Sequence, residues 1–234
     1  MPSSPSQRWL DDFFRAYHAH RPVNATFVGV HAHDHRLPDH SDGGLGDLVA
    51  GMEGLLARVR RLEGERWGPG SPASGPDPER PGTPAGGGEA PAAMEARAEA
   101  LDLRLATGFL KISLWEAQSG HGPRGNPTFY TGEAIFGVLS LFLSDFAPLA
   151  ERVESAIQRL EAVPVFLEEG RRRLVAGPGC HGEWTRRALR ECQGALAFLG
   201  EGVEALCGDL LASPAGGPGT PGAAELVPPL RRAA

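Results

Sequence analysis

Cysteine is scarce, three in 234 residues. So few cannot close the framework of a small disulfide-stapled fold, and their number points to a reducing compartment. A long apolar run is also missing. The longest, Ala134 to Leu143, falls well short of the ~20 residues that span a bilayer. The opening MPSSPSQRWLDDFF lacks the apolar stretch of a secretory leader. Nor is there a basic excess: the formal charge is −6 and the pI about 5.8, which argues against a surface for nucleic-acid phosphates. These absences predict a cytoplasmic chain with neither membrane nor nucleic acid as partner.

Glycine (32) and proline (21) are plentiful by contrast, nearly a quarter of the chain. They concentrate in two places. Gly64 to Pro91 holds eight glycines and seven prolines in 28 residues, with only Trp67 offering much apolar area. Such a stretch lacks backbone donors and loses much entropy on ordering, so it reads as a flexible linker. Residues 213–234, through PAGGPGTPG and VPPLRRAA, read as a disordered tail. The expected organisation is a helical domain over residues 1–212, interrupted by the linker at 64–91.

Apolar spacing in the remainder is helical. Trp9, Leu10, Phe13, Phe14 and Tyr17 share one helix face, behind a Ser4-Pro5-Ser6-Gln7 start with N-cap and first-turn proline. Arg21-Pro22 ends that helix. A second stripe runs from Leu45 to Leu62, with Ser41 or Asp42 as its cap. A long helix follows from about Met94 to Gln118. It becomes apolar on several sides through Phe109, Leu110, Ile112, Leu114 and Trp115, which predicts enclosure by other helices or by a partner. Further helices are expected after Asn126-Pro127, from Pro148, from Pro164, and from Trp184 to Leu210. Seven helices make an all-α, irregular multi-helix bundle. The one strand-like piece is Ala25 to Val30.

Few residues carry obvious chemistry. His31, His33 and His35 alternate, so on an extended segment three imidazoles would line one side, as metal ligands do. Read blandly, they belong to a polar loop with Asp34. Cys180, His181 and Cys192 match no closed zinc module, and Cys192 and Cys207 fall on or beside an apolar stripe, where free cysteine is a small hydrophobe. Arg171 to Arg173 and Arg186, Arg187 and Arg190 read as solvated faces offset by Glu168, Glu169, Glu183 and Glu191, or as an anion or partner site. Arg124, Asn126, Tyr130 and Glu133 sit in or just after one turn, where they line a groove or stabilise the turn. No catalytic residue and no resident cofactor is assigned.

Three stretches carry a resemblance: Arg21 to Ser41, Arg124 to Leu167, and Trp184 to Leu199. Their recurring features are Pro22, Ala25-Thr26, Gly29, Asp34, Arg36-Leu37, Asp39-His40-Ser41, Asn126-Pro127, Tyr130, Arg159-Leu160 and Pro164. Together they resemble the amino-terminal part of the bacterial "domain of unknown function 885" family, relatives of zincin-type metallopeptidases. The resemblance implies zinc held in a later half of longer members, by a His-Glu helix whose glutamate activates the bound water. No histidine here stands in a His-Glu pair. Two expectations follow. One is a truncated or split, non-catalytic helical portion that docks a missing carboxy-terminal metal-binding half through exposed apolar surface. The other is a self-contained helical binding or scaffold protein.

Overall fold

The computed structural model describes residues 4–67, 91–119, 121–212 and 223–234. Among them there is no strand, and the fold is all-α. The helices are α1 (Pro5–His20), α2 (Pro22–Phe27), α3 (Asp42–Trp67), α4 (Pro91–Gln118), α5 (Thr128–Leu139), α6 (Leu149–Val175), α7 (Gly182–Ala197), α8 (Val203–Ala212) and α9 (Ala223–Ala233). A 3-10 turn, His31–His33, follows α2, and a π-helical turn, Phe198–Gly202, splices α7 to α8.

The described residues gather into two compact units. The first comprises residues 1–16 and 47–115, so α1, α3 and α4 build it. The Ser4 hydroxyl accepts from the Gln7 N–H at 3.0 Å and caps α1, leaving Pro5 at the position that needs no donor. Trp9 is fully buried and its indole donates to the Leu55 carbonyl on α3 at 2.9 Å. Phe13 meets Phe109 of α4 edge-on, with ring centroids 6.3 Å apart. Met52, Leu55, Leu56 and Val59 complete the α3 face, and Leu103, Ala106 and Leu110 the α4 face.

Of the two expected ways to enclose α4, the one by its own helices does not form: Ile112 and Trp115 are exposed, and Leu103 and Leu110 are on the buried side.

The second unit comprises residues 17–46 and 116–234. Its core packs Val138, Leu141, Val153, Ile157, Leu160, Val203 and Cys207 from α5 to α8 against Leu226, Val227 and Leu230. Those last three belong to α9, within the segment expected as a disordered tail. Pro228 and Pro229 lie inside this helix and withdraw two donors, so propensity alone argues against it. Packing on α6 and α8 wins instead, with Arg231 clamping Glu204 at 3.0 and 3.1 Å. Residues 213–222 lie outside the described residues, as does most of the linker, whose first residues extend α3 to Trp67 and whose last opens α4.

Three other expectations are corrected. The strand-like Ala25–Val30 begins as α2, whose first turn Pro22 pre-sets; Ala25 and Thr26 are buried. Pro164 does not start a new helix. It sits inside the continuous α6, where Leu160 and Phe166, buried on either side, hold the backbone helical. The single helix from Trp184 to Leu210 is broken in register by the π turn.

Substituting Leu230, 1% exposed, by Ala is expected to cost about 2–5 kcal/mol in urea unfolding. Arg232→Ala on the exposed side of α9 is expected to change stability by less than about 0.5 kcal/mol. Equal effects at both positions would show that α9 does not pack.

Candidate functional site

A fully buried cation joins several short segments of the second unit. Arg159 of α6 is fully buried. Its Nη1 donates to the Gly137 carbonyl, near the end of α5, and to Ser140 Oγ at 3.3 Å. Its Nη2 donates to Thr26 Oγ1 at 2.7 Å and to the Pro22 and His33 carbonyls, each at 3.4 Å. Thr26 passes the bond on, donating to Asp34 Oδ1 at 2.6 Å, and Asp34 Oδ2 lies 3.0 Å from His31 Nδ1. Burial lowers the guanidinium to about 10, opposed by the charges of Asp34 and Glu133, so it stays cationic at neutral pH.

An aromatic box lies in the same unit. His40 is buried, stacked on Phe129 at 4.6 Å, with Tyr130 and Phe166 at 5.6 and 5.2 Å. Its Nδ1 has no hydrogen-bond partner, and desolvation, helped by the Arg173 charge, pushes its pKa down to about 4. Tyr130 donates its hydroxyl to the Pro123 carbonyl at 2.7 Å, and burial pushes the phenol up to about 12. The ring presses on Gly170 of α6, where an added Cβ would fall 2.4 Å from Tyr130 Cγ.

Two clefts flank α5. One, of about 240 Å³, lies between α5, α6 and α7, lined by Ala134, Ile135, Val138, Leu160, Val163, Ala195 and Leu199 among others. Its polar contributions are confined to Thr131 and Cys192. The other, of about 630 Å³, carries Glu133, Arg187 and Glu191 beside Phe129, Phe136 and Leu139. Ile135 and Phe198 belong to both linings. Phe198 owes its position to the π turn, since Gly202 there leaves room for its ring: a Cβ would meet Phe198 Cδ2 at 2.7 Å. Glu191 accepts from the Thr131 hydroxyl at 2.5 Å and from Arg187 Nε at 2.8 Å, tying α7 to α5. Glu133 has an oxygen shielded from solvent without a hydrogen-bond partner, and desolvation holds its carboxyl above the usual range.

The sequence candidates fall unevenly on this geometry. His31, His33 and His35 do not stand on an extended strand but on a 3-10 turn and its exit, where alternate residues point apart. His31 stacks on Phe146 at 3.8 Å, while burial lowers the pKa of His33. Among the described residues no group of three His, Cys, Asp or Glu side chains is placed to hold a metal ion. Asn126 Oδ1 accepts from the Thr128 N–H and hydroxyl at 3.0 and 2.8 Å, so its polar atoms serve the start of α5; Arg124 is exposed. Cys180 is exposed, and so is Cys192 in place of the expected small buried hydrophobe, whereas Cys207 is fully buried as expected. His181 caps α7, accepting from the Glu183 N–H at 3.3 Å. Arg171, Arg172, Arg186 and Arg187 pair with Glu168, Glu169, Glu183 and Glu191, but Arg173 turns inward to the His40 carbonyl at 2.7 Å and to Asp42 at 2.5 Å. The apolar cleft itself was missed: its signal was the small residue Ala195 facing the small residue Ala134.

No family model, curated protein or solved structure matches this chain.

His40 supplies a pH test. The unfolded imidazole takes its proton near 6.5 and the folded one only near 4, so the unfolded state binds more protons in that window. Stability therefore falls as pH drops from about 6.5 to about 4, by on the order of 3 kcal/mol. His40→Phe keeps the aromatic box and removes the proton site. Urea unfolding across this range is expected to show a flatter profile in the variant, and an unchanged slope would contradict the assignment.

Proposed function

We propose that this chain is a helical binding protein whose second unit takes a small amphipathic ligand. The apolar body of that ligand sits between α5, α6 and α7, and its polar end faces Glu133 and Arg187. The observation that carries this reading is the 240 Å³ cleft, nearly free of polar atoms and bordered, at Ile135 and Phe198, by a cleft that has charged groups. Pockets with apolar walls and a few convergent polar groups are the usual form of a small-molecule site. Dry cavities of comparable size take up apolar molecules.

Decanol and an anilinonaphthalene fluorophore serve as probes. Saturable one-to-one binding is expected, weakened by about tenfold or more in Ala195→Trp, which fills the cleft from α7. Circular dichroism and the melting temperature check that this variant remains folded. Binding that is unsaturable, or indifferent to Ala195→Trp, overturns the proposal.

A second reading is the front helical portion of a metallopeptidase-like protein, with zinc and catalysis belonging to a later half. One observation favours it. The residues that carry the resemblance to the domain of unknown function 885 family converge in one unit: Pro22, Thr26, Asp34 and Arg159 in one network, His40 and Tyr130 in one aromatic box. Dispersed sequence features that meet in space are what a shared structural core requires. The coding sequence downstream of Ala234 separates the readings: a continuing frame with a His-Glu helix supports the second, and an unrelated gene after a stop removes it.

A further inference from the structure

Helix α4 has two apolar faces, and only one of them is buried. Leu103, Ala106 and Leu110 are buried on the first. On the opposite side Met94, Leu101, Leu105, Ile112 and Trp115 are 64, 54, 63, 59 and 59% exposed. At 100° per residue these five fall within a strip about 80° wide and about 32 Å long.

Their spacing is heptad. With Ala98, Leu105 and Ile112 as a positions, the d positions are Met94, Leu101, Gly108 and Trp115, sustained over three repeats. The flanks are sorted by sign. Every g position before the last turn is basic: Arg97, Arg104 and Lys111. Three of the four e positions are acidic, Glu95, Asp102 and Glu116, with Phe109 the other. Surface helices without a partner have no reason to segregate charge along both borders of an exposed apolar seam.

We infer that α4 pairs with α4 of a second copy of this chain, parallel and in register. The charge pattern selects both the occupant and the orientation. A parallel two-fold axis sets each g flank against the e flank of the other copy, so Arg97 meets Asp102 and Lys111 meets Glu116 of the second copy, where Glu116 also lies 3.8 Å from Arg21 of its own chain. An antiparallel pair sets g against g, with Arg97 facing Lys111 and Arg104 facing its own counterpart, and like charges repel. The isologous parallel contact is therefore the complementary one. Ile112 at a and Leu101 at d suit a two-stranded parallel seam. Gly108 leaves an open layer, since a Cβ added there meets nothing within 4 Å.

Sedimentation equilibrium of the full chain tests this at micromolar concentration. The chain is expected to be dimeric, and Leu101→Asp with Leu105→Asp to make it monomeric with unchanged circular dichroism, both side chains being exposed. Gly108→Leu is expected to tighten the dimer by about tenfold or more. Orientation is read from Ala98→Cys in a Cys180→Ser, Cys192→Ser background, where the parallel register sets the new thiols against each other and a disulfide forms. A monomeric native chain, its seam then left to a different protein, overturns the inference. So does a dimer that survives the two aspartates, and so does a dimer in which the Ala98→Cys thiols fail to link.

Discussion

A buried guanidinium is expensive, and in the second unit much of the fold is arranged to meet that cost. Arg159 carries its charge out of water into contact with five oxygen atoms drawn from α2, the 3-10 turn, the end of α5 and the residues after it. Each of these segments is short or irregular and has limited means of holding itself. Gly137 lies in the last turn of α5, where carbonyls lack helical partners and a cation is favoured by the helix dipole. The Thr26–Asp34 bond brings a carboxylate within electrostatic reach, so the charge is not isolated. Removing the cation leaves three carbonyls and two hydroxyls without their common donor and Asp34 without a nearby positive charge, and removing an acceptor leaves the cation short; breaking a buried pair by one partner costs more than the pair is worth.

Around that fixed point the unit makes room on the flanks of α5. The π turn between α7 and α8 turns Phe198 toward both clefts, and Gly202 accepts its ring. Glu191 ties α7 to α5 at the boundary through Thr131, while Arg187 on its own helix holds its other oxygen. One side of α5 is then apolar and the other carries charge, the division that an amphipathic ligand requires. The first unit is built differently: three helices, a tryptophan on α1 hydrogen-bonded to α3, and a second apolar face on α4 that stays exposed.

Much of the helical layout was legible in the residues. Ser4, and either Ser41 or Asp42, are read as caps from their place before apolar stripes; Ser4 and Ser41 are the ones that accept a backbone N–H. Trp9, Leu10 and Phe13 of the α1 stripe and Met52, Leu55, Leu56 and Val59 of the α3 stripe are true core residues, whereas Phe14 is exposed. What was not legible arises where tertiary packing overrides local preference. Pro164, Pro228 and Pro229 sit inside helices because buried neighbours hold them there, and no local rule reads that. Alternation of the histidines suits either an extended segment or a polar loop, and the 3-10 turn of the structure spreads the imidazoles. Arg159 gave no local sign of burial, since its acceptors lie as far as 137 positions away. The clefts are likewise made by surfaces that meet only after folding.

The most direct test is a double-mutant cycle between Arg159→Met and Thr26→Val, read as urea unfolding free energies. The account predicts that either single change is strongly destabilising. It also predicts that the two together lose less than their sum, with a coupling of about 1 kcal/mol or more between the sites. Additive losses, or a stability unchanged by Arg159→Met, would contradict a fold organised by this cation.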